Sequence, residues 1–178
     1  MTNKPIEPAT YFFPSDGNSI PNNPTLPVLI YNQVFNTVDE SIANQFEDAF
    51  RKNGWTGCWR WSVYDFHHFH CDAHEALGVA SGTANLHLGG PHGKAFEVSA
   101  GDLIVLPAGT GHKNLGCSHD FQVVGSYPVG QENYTTNRSD AAEYDNVLKR
   151  ITATPLPESD PMYGKDGPLM RLWRKSLR

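Results

Sequence analysis

No stretch of the 178 residues is apolar for long enough to approach a membrane span, and the opening MTNKPIEPAT lacks the apolar core of a secretory signal. Basic residues are few. Fourteen Lys and Arg stand against 19 Asp and Glu, a formal net charge of −5 with no basic stripe to offset it, which argues against a nucleic-acid partner. The one cationic cluster is the tail RLWRKSLR, Arg171 to Arg178, which reads as a solvated terminus. Cysteine is scarce as well. Cys58, Cys71 and Cys117 are odd in number and show no CxxC spacing, so they read as free thiols in a reducing compartment rather than a disulfide frame. Together these absences make a cytoplasmic protein the expectation.

What is present suits one domain: hydrophobic residues make up 39% of the chain, enough at this length for a single buried core. Residues 1–54 read as an N-terminal arm rich in Pro and Asn, an edge strand around Tyr11 to Phe13, a strand in PVLIYNQVF, and a helix. Thr37 and Glu40 fit a capping box for that helix, Ile42, Phe46, Ala49 and Phe50 share one face, and Gly54 supplies the stop. Residues 55–130 change texture to short apolar runs separated by Gly, Pro and Asp. Six strands are expected there: CWRWSVYDFHHFH, EALGVASG, TANLHLGG, KAFEVSAG, DLIVLPAG and DFQVVGSYP. Regular short strands with turn signals predict an all-β sandwich or barrel. Residues 131–178 read as a second amphipathic helix, with Tyr144, Val147, Leu148 and Ile151 on one side, followed by a Pro-rich irregular strap.

The chemistry concentrates in FHHFHCDAHEALGVASG, Phe66 to Gly82. Side chains alternate along a strand, so His68 and His70 share a face that His67 does not. Glu75 follows after room for a turn, and parity turns His74 away if the next run is extended. Parity therefore selects His68, His70 and Glu75 as candidate metal ligands. A fourth candidate, His112, follows the Pro-Ala-Gly-Thr-Gly turn of GDLIVLPAGTGHKN, which can swing a strand back beside its neighbour. If the strand before His68 is regular, Arg60, Ser62, Tyr64 and Phe66 lie on the same face. Tyr64 is then a candidate acid or anion-orienting group and Arg60 a candidate carboxylate partner. Lys113 and Asn114 flank His112 at the mouth, and His87, His92 and His119 read as exposed.

In combination these positions resemble the cupins. His68-x-His70-x4-Glu75-x6-Gly82 fits the first cupin motif from its first histidine onward, and Gly101-x5-Pro107-x-Gly109-x2-His112 fits the second up to its histidine. Eighteen residues, Thr83 to Ala100, separate the two. The motif's opening glycine falls at Ser62 and its closing asparagine at Gly116, both structural positions, with Asn114 close by. The DPMYGKDGPL segment and the NGW before the first motif also resemble the YjlB-like small single-domain cupins.

The resemblance implies a double-stranded β-helix, or jelly-roll barrel, holding one divalent ion through His68, His70, Glu75 and His112. Three imidazoles and one carboxylate suit Fe, Mn, Ni, Zn, Co or Cu and are too nitrogen-rich for Mg or Ca. A metal-dependent enzyme of oxygenase or isomerase type, acting on a small polar or aromatic molecule, is the expected function. A non-catalytic sensor or binding protein, and a storage-like barrel that has lost its site, are the alternatives. A homodimer through the N-terminal strand is expected.

Overall fold

Two tetrapeptides, Val28–Tyr31 and Leu103–Leu106, are buried at every position, which a strand achieves only when both of its faces are covered. The computed structural model describes residues 4–36, 41–138 and 143–178. In chain order its elements are β1 (Ala9–Tyr11), β2 (Val28–Tyr31), α1 (Ile42–Lys52), β3 (Trp55–Trp61), β4 (Glu75–Ser81) and β5 (Thr83–Leu88), then β6 (Lys94–Ser99), β7 (Leu103–Leu106), β8 (His112–Cys117), β9 (Gln122–Pro128), α2 (Tyr144–Ala153) and α3 (Pro168–Ser176). The strands form a six-stranded sheet in the order β1-β2-β7-β4-β9-β3 and a three-stranded sheet in the order β6-β5-β8, with antiparallel pairing throughout. This is a jelly-roll barrel with peripheral helices.

Alternation along the central strands divides the core in two. Val28, Ile30, Leu77, Val79, Ile104, Leu106 and Val123 face inward and meet Ala84, Leu86, Leu88 and Val98 of the smaller sheet. Leu29, Tyr31, Ala76, Leu103, Val105 and Val124 face outward, under Phe46 and Phe50 of α1 and Leu169, Met170 and Trp173 of α3. The helices therefore seal the back of the large sheet and leave the barrel interior to the strands. Helix α1 carries the expected apolar face, with Ala43, Phe46 and Phe50 buried. Its proposed Thr37/Glu40 capping box lies outside the described residues, while Ser41 occupies the N-cap and its Oγ accepts from the Asn44 N–H at 3.4 Å.

Three sequence expectations are corrected. The strand expected to run from Cys58 to His70 ends at Trp61, because β9, which pairs Trp61 with Val123, has only Gln122 left beyond that point. The chain then crosses to the other sheet, where His68 forms an isolated bridge with His112. Residues His112–Cys117 form a seventh strand in this region, β8, at the edge of the small sheet. The strap is not irregular to its end. Pro168 stands at the start of α3, where a missing N–H costs nothing, and Leu169, Met170 and Trp173 bury the helix's inner face. Within the tail Trp173 alone is fully buried, its Nε1–H donating to Pro27 O at 3.0 Å, while Arg171, Arg174, Lys175 and Arg178 are exposed as expected.

Asp160, within DPMYGKDGPL, explains why that segment is structural. Its buried carboxylate accepts from Tyr31 Oη–H at 2.6 Å, from the Met162 and Tyr163 N–H groups at 2.8 and 3.0 Å, and from the Leu169 N–H at 3.1 Å. One side chain ties β2, the strap and the first turn of α3 together.

Candidate metal centre

The turn Pro107–Gly111 folds back because Gly109 adopts φ +91°, and its N–H donates to His70 O at 2.7 Å. A side chain there would be strained and would meet Asn22 O. The turn delivers His112 opposite His68, and the two exchange backbone hydrogen bonds of 3.2 and 2.9 Å. Their ring centroids lie 4.0 Å apart, and His70 sits 5.7 Å from His112 and 5.9 Å from His68. One nitrogen from each ring falls within 4.8 Å of the others, so the three buried histidines form a cluster that could hold a metal ion. Glu75, at the start of β4, adds a buried carboxylate beside it.

Hydrogen bonding settles which nitrogens face the centre. His68 Nδ1 lies 3.1 Å from Phe66 O, His70 Nδ1 2.9 Å from Thr135 O, and His112 Nδ1 2.9 Å from Thr110 O. A carbonyl only accepts, so each Nδ1 carries the proton and each Nε2 presents a lone pair. Glu75 Oε1 accepts from Tyr127 Oη–H at 2.9 Å, but its buried Oε2 has no hydrogen-bond donor and lies 3.2 Å from His112 Nε2 and 3.5 Å from His70 Nε2. With the rings neutral, lone pairs thus converge on a carboxylate oxygen with no donor among them. A cation fits this arrangement.

The electrostatics agree. Burial works against a charged Glu75, yet the adjacent His70 and His112 rings outweigh it and hold the carboxyl well below the usual carboxylate range. Burial likewise opposes charge on His70, and the Glu75 carboxylate raises its pKa above the ordinary histidine value. His68 is pushed down to about 3 by burial and by the neighbouring His112. A site that draws positive charge toward Glu75 while keeping His68 neutral suits a metal and its imidazole ligands.

A cavity of about 240 Å³ opens onto the cluster. Tyr64 lines it, 5.0 Å from the His68 ring and 40% exposed, and Trp61 beside it is 56% exposed, so this wall reaches solvent. Arg60 does not line it. The side chain points out from β3, where Nε donates to Glu47 Oε1 at 2.7 Å and Nη2 to Asn44 Oδ1 at 2.6 Å. Its expected alignment with His68 assumed a regular strand, and the break after Trp61 removes that parity. His67 turns from the centre toward His87, 5.2 Å away, and His74 is buried in the core against Trp173. Cys71 is buried, with Sγ 3.3 Å from Thr135 Oγ1, while His92 and His119 are exposed.

Tyr127 and Tyr134 were not read from the sequence. Tyr127 shares the inward face of β9 with Val123 and Gly125, and that alternation was the available signal. Gly125 lets the Trp59 indole lie across β9, since a Cβ would stand 2.1 Å from the ring, and Trp59 Nε1–H donates to Tyr127 Oη at 2.8 Å. Tyr134 has no such signal, because it lies in the loop after β9, where it stacks on Tyr127 with centroids 4.1 Å apart and meets the His70 ring at 4.6 Å.

No protein-family profile matches the chain. The uncharacterized protein YjlB of Bacillus subtilis is 38% identical over 169 residues, covering 95% of this chain and 98% of its own. The chain belongs to the YjlB family. Solved structures similar to this YjlB-family chain include procruciferin, an 11S globulin of Brassica napus, at 17% identity and a TM-score of 0.40, covering 68% of this chain and 29% of the globulin. Another is acireductone dioxygenase of Bacillus anthracis with cadmium in its active centre, at 21% identity and a TM-score of 0.38, covering 59% of this chain and 79% of the dioxygenase. Likeness at this level does not extend to activity.

Proposed function

We propose that this YjlB-family protein is a metal-dependent enzyme of oxygenase or isomerase type that takes a small organic molecule into its barrel. One observation carries the reading: the buried, unpartnered Glu75 Oε2 facing the histidine Nε2 atoms at the end of a cavity that reaches solvent. His68, His70, His112 and Glu75 would hold one divalent ion of Fe, Mn, Ni, Zn, Co or Cu. When bound, such an ion supplies Lewis-acid polarisation of a substrate oxygen, or redox chemistry if it is Fe.

The chain's own groups do the remainder. Carbonyls of Phe66, Thr135 and Thr110 fix the tautomer of the three rings, and Tyr127 holds Glu75 turned toward them. Tyr64 stands at the mouth, where its hydroxyl can hydrogen-bond a substrate's polar group. The aromatic wall displaces water from around the reacting atoms. The three free thiols suit a reducing cytoplasm, and the free edge of β1 suits pairing with a second copy, which light scattering showing only monomer would remove. Among the described residues no helix is long and apolar enough to cross a membrane.

Elemental analysis of purified protein, followed by oxygen-uptake and isomerisation screens, tests the proposal. About one transition ion per chain is expected. Iron with substrate-dependent uptake supports an oxygenase, and Zn or Mn with turnover but no uptake supports an isomerase. A metal-loaded protein that turns over nothing would mark a binding protein instead.

A further inference from the structure

The metal-enzyme reading leaves the substrate open, and the cavity wall narrows it. Trp59, Trp61, Tyr64, Tyr127 and Tyr134 account for most of the lining beyond the metal cluster. They stand on two sides of it. Tyr64 meets the His68 ring edge-on at 5.0 Å, and Tyr134 meets the His70 ring at 4.6 Å. Among the described residues no lysine or arginine lines the cavity. Arg60 is committed to Glu47 on the outside, and the Arg138 guanidinium sits 3.5 Å over the Phe66 ring, which itself stacks on Tyr64.

Charge and volume then act as filters. A divalent ion with one carboxylate and three neutral imidazoles carries a net charge of about +1, so a singly charged anion would neutralise the site. A dianion would bury an excess charge among aromatic faces, whose quadrupoles present negative potential, with no guanidinium or ammonium to receive it. An engineered cavity of about 150 Å³ takes one benzene ring, so about 240 Å³ holds a single ring with a few substituents. Four protein ligands on a six-coordinate ion leave about two positions, which suits a pair of neighbouring oxygen donors.

From these, and resting on the metal-enzyme reading, we infer that the substrate class is a single flat ring bearing two adjacent oxygen donors and at most one negative charge. Phosphorylated compounds and dicarboxylates are excluded. Trp61 and Tyr64, the exposed wall, are the specificity-determining residues.

The test uses the Co(II)-loaded protein, with calorimetry for affinity and the visible cobalt spectrum to show that each probe reaches the ion. Maltol supplies a ring and one charge, acetohydroxamate one charge without a ring, phenyl phosphate a ring with two charges, and oxalate two charges without a ring. Maltol is expected to bind at least tenfold more tightly than the other three. Trp61→Ala and Tyr64→Ala are expected to weaken maltol about five- to tenfold each, both leaving cobalt content unchanged and Trp61→Ala leaving acetohydroxamate affinity unchanged. Equal or tighter binding of phenyl phosphate, oxalate or acetohydroxamate, or maltol binding indifferent to both variants, overturns the inference. Failure of the wild-type protein to hold cobalt overturns the metal reading itself, so the two failures are told apart.

Discussion

His74 and the His68/His70/His112 cluster are equally well buried and differ in one respect. His74 has both nitrogens engaged: Nδ1 accepts from the Ala108 N–H at 2.9 Å, so Nε2 carries the proton and donates to Pro155 O at 3.2 Å. Each ring of the cluster has only its Nδ1 engaged, and the Nε2 atoms face a carboxylate oxygen that lacks a donor. Burial therefore does not mark a ligand histidine here. The state of the second nitrogen does. His74 staples the segment leading into β4 to the Pro107 turn and the strap, and its neighbour Glu75 serves the opposite face.

Exchanging the two histidine types breaks this comparison most sharply. His70→Ala removes a ligand and is expected to lower metal affinity more than about 100-fold, a larger loss than the 10- to 100-fold typical of outer-shell changes. His74→Ala is expected to keep about one ion per chain while costing about 3–5 kcal/mol of stability, from a cavity plus the unpaired Ala108 N–H, since Pro155 O still accepts from Gln131 Nε2. Metal analysis and urea unfolding of both variants read the cross. A His74→Ala protein that folds normally but loses its ion would erase the distinction.

Acid separates them next. Burial pushes His74 down to about 4 from its ordinary 6.5. The unfolded chain then takes a proton at that site near pH 6.5, and the folded chain not until about pH 4. Its stability contribution is complete above pH 6.5 and is lost as pH falls toward 4, by up to about 3 kcal/mol. His68 titrates in the same sense in any variant that keeps it, so the difference between wild type and His74→Gln, both metal-free, isolates His74. Unfolding curves from pH 7 to 4 should converge by that amount, and parallel curves would show that His74 is not held neutral.

The support behind one ligand gives a smaller effect. Thr135 O receives His70 Nδ1–H, while the Thr135 N–H donates to Asp72 Oδ1 at 2.9 Å and Arg150 Nη2 holds Asp72 Oδ2 at 2.6 Å. Asp72→Asn should loosen that loop and weaken metal affinity about tenfold, with less than about 1 kcal/mol lost from overall stability because the ion pair is partly exposed. A competition titration against a fluorescent chelator measures it, and unchanged affinity would show that Thr135 is held without Asp72.

The sequence made the barrel legible because turn signals and alternation are local. EALGVASG, TANLHLGG and KAFEVSAG each lie within a few residues of the observed strands β4, β5 and β6. The convergence of His68, His70, Glu75 and His112 was legible through two spaced motifs. Contacts made by loops were not. Thr135 and Tyr134 join the site through a backbone carbonyl and a stacked ring, and neither leaves a periodicity to read. Proline misled in the tail, because four prolines suggest irregular chain while Pro168 at a first helical position starts α3.

Arg60 is the sharpest case of a local rule carried too far, and it sets the smallest expected effect. Parity counted back from His68 puts Arg60 inside the barrel only if the strand runs unbroken, and β3 ends at Trp61. Past the register shift between Thr56 and Trp59 the alternation is kept: Trp59 and Trp61 line the cavity and Arg60 faces out, paired with Glu47 of α1 and 37% exposed. Arg60→Ala should leave metal affinity and maltol affinity within about twofold of wild type, and cost less than about 1 kcal/mol, as a partly exposed ion pair does. Trp61→Ala, one residue along, should show the reverse pattern, with ligand affinity lost and stability nearly kept. If Arg60→Ala instead weakens ligand binding tenfold, the guanidinium reaches the cavity, and the exclusion of dianionic substrates fails with it.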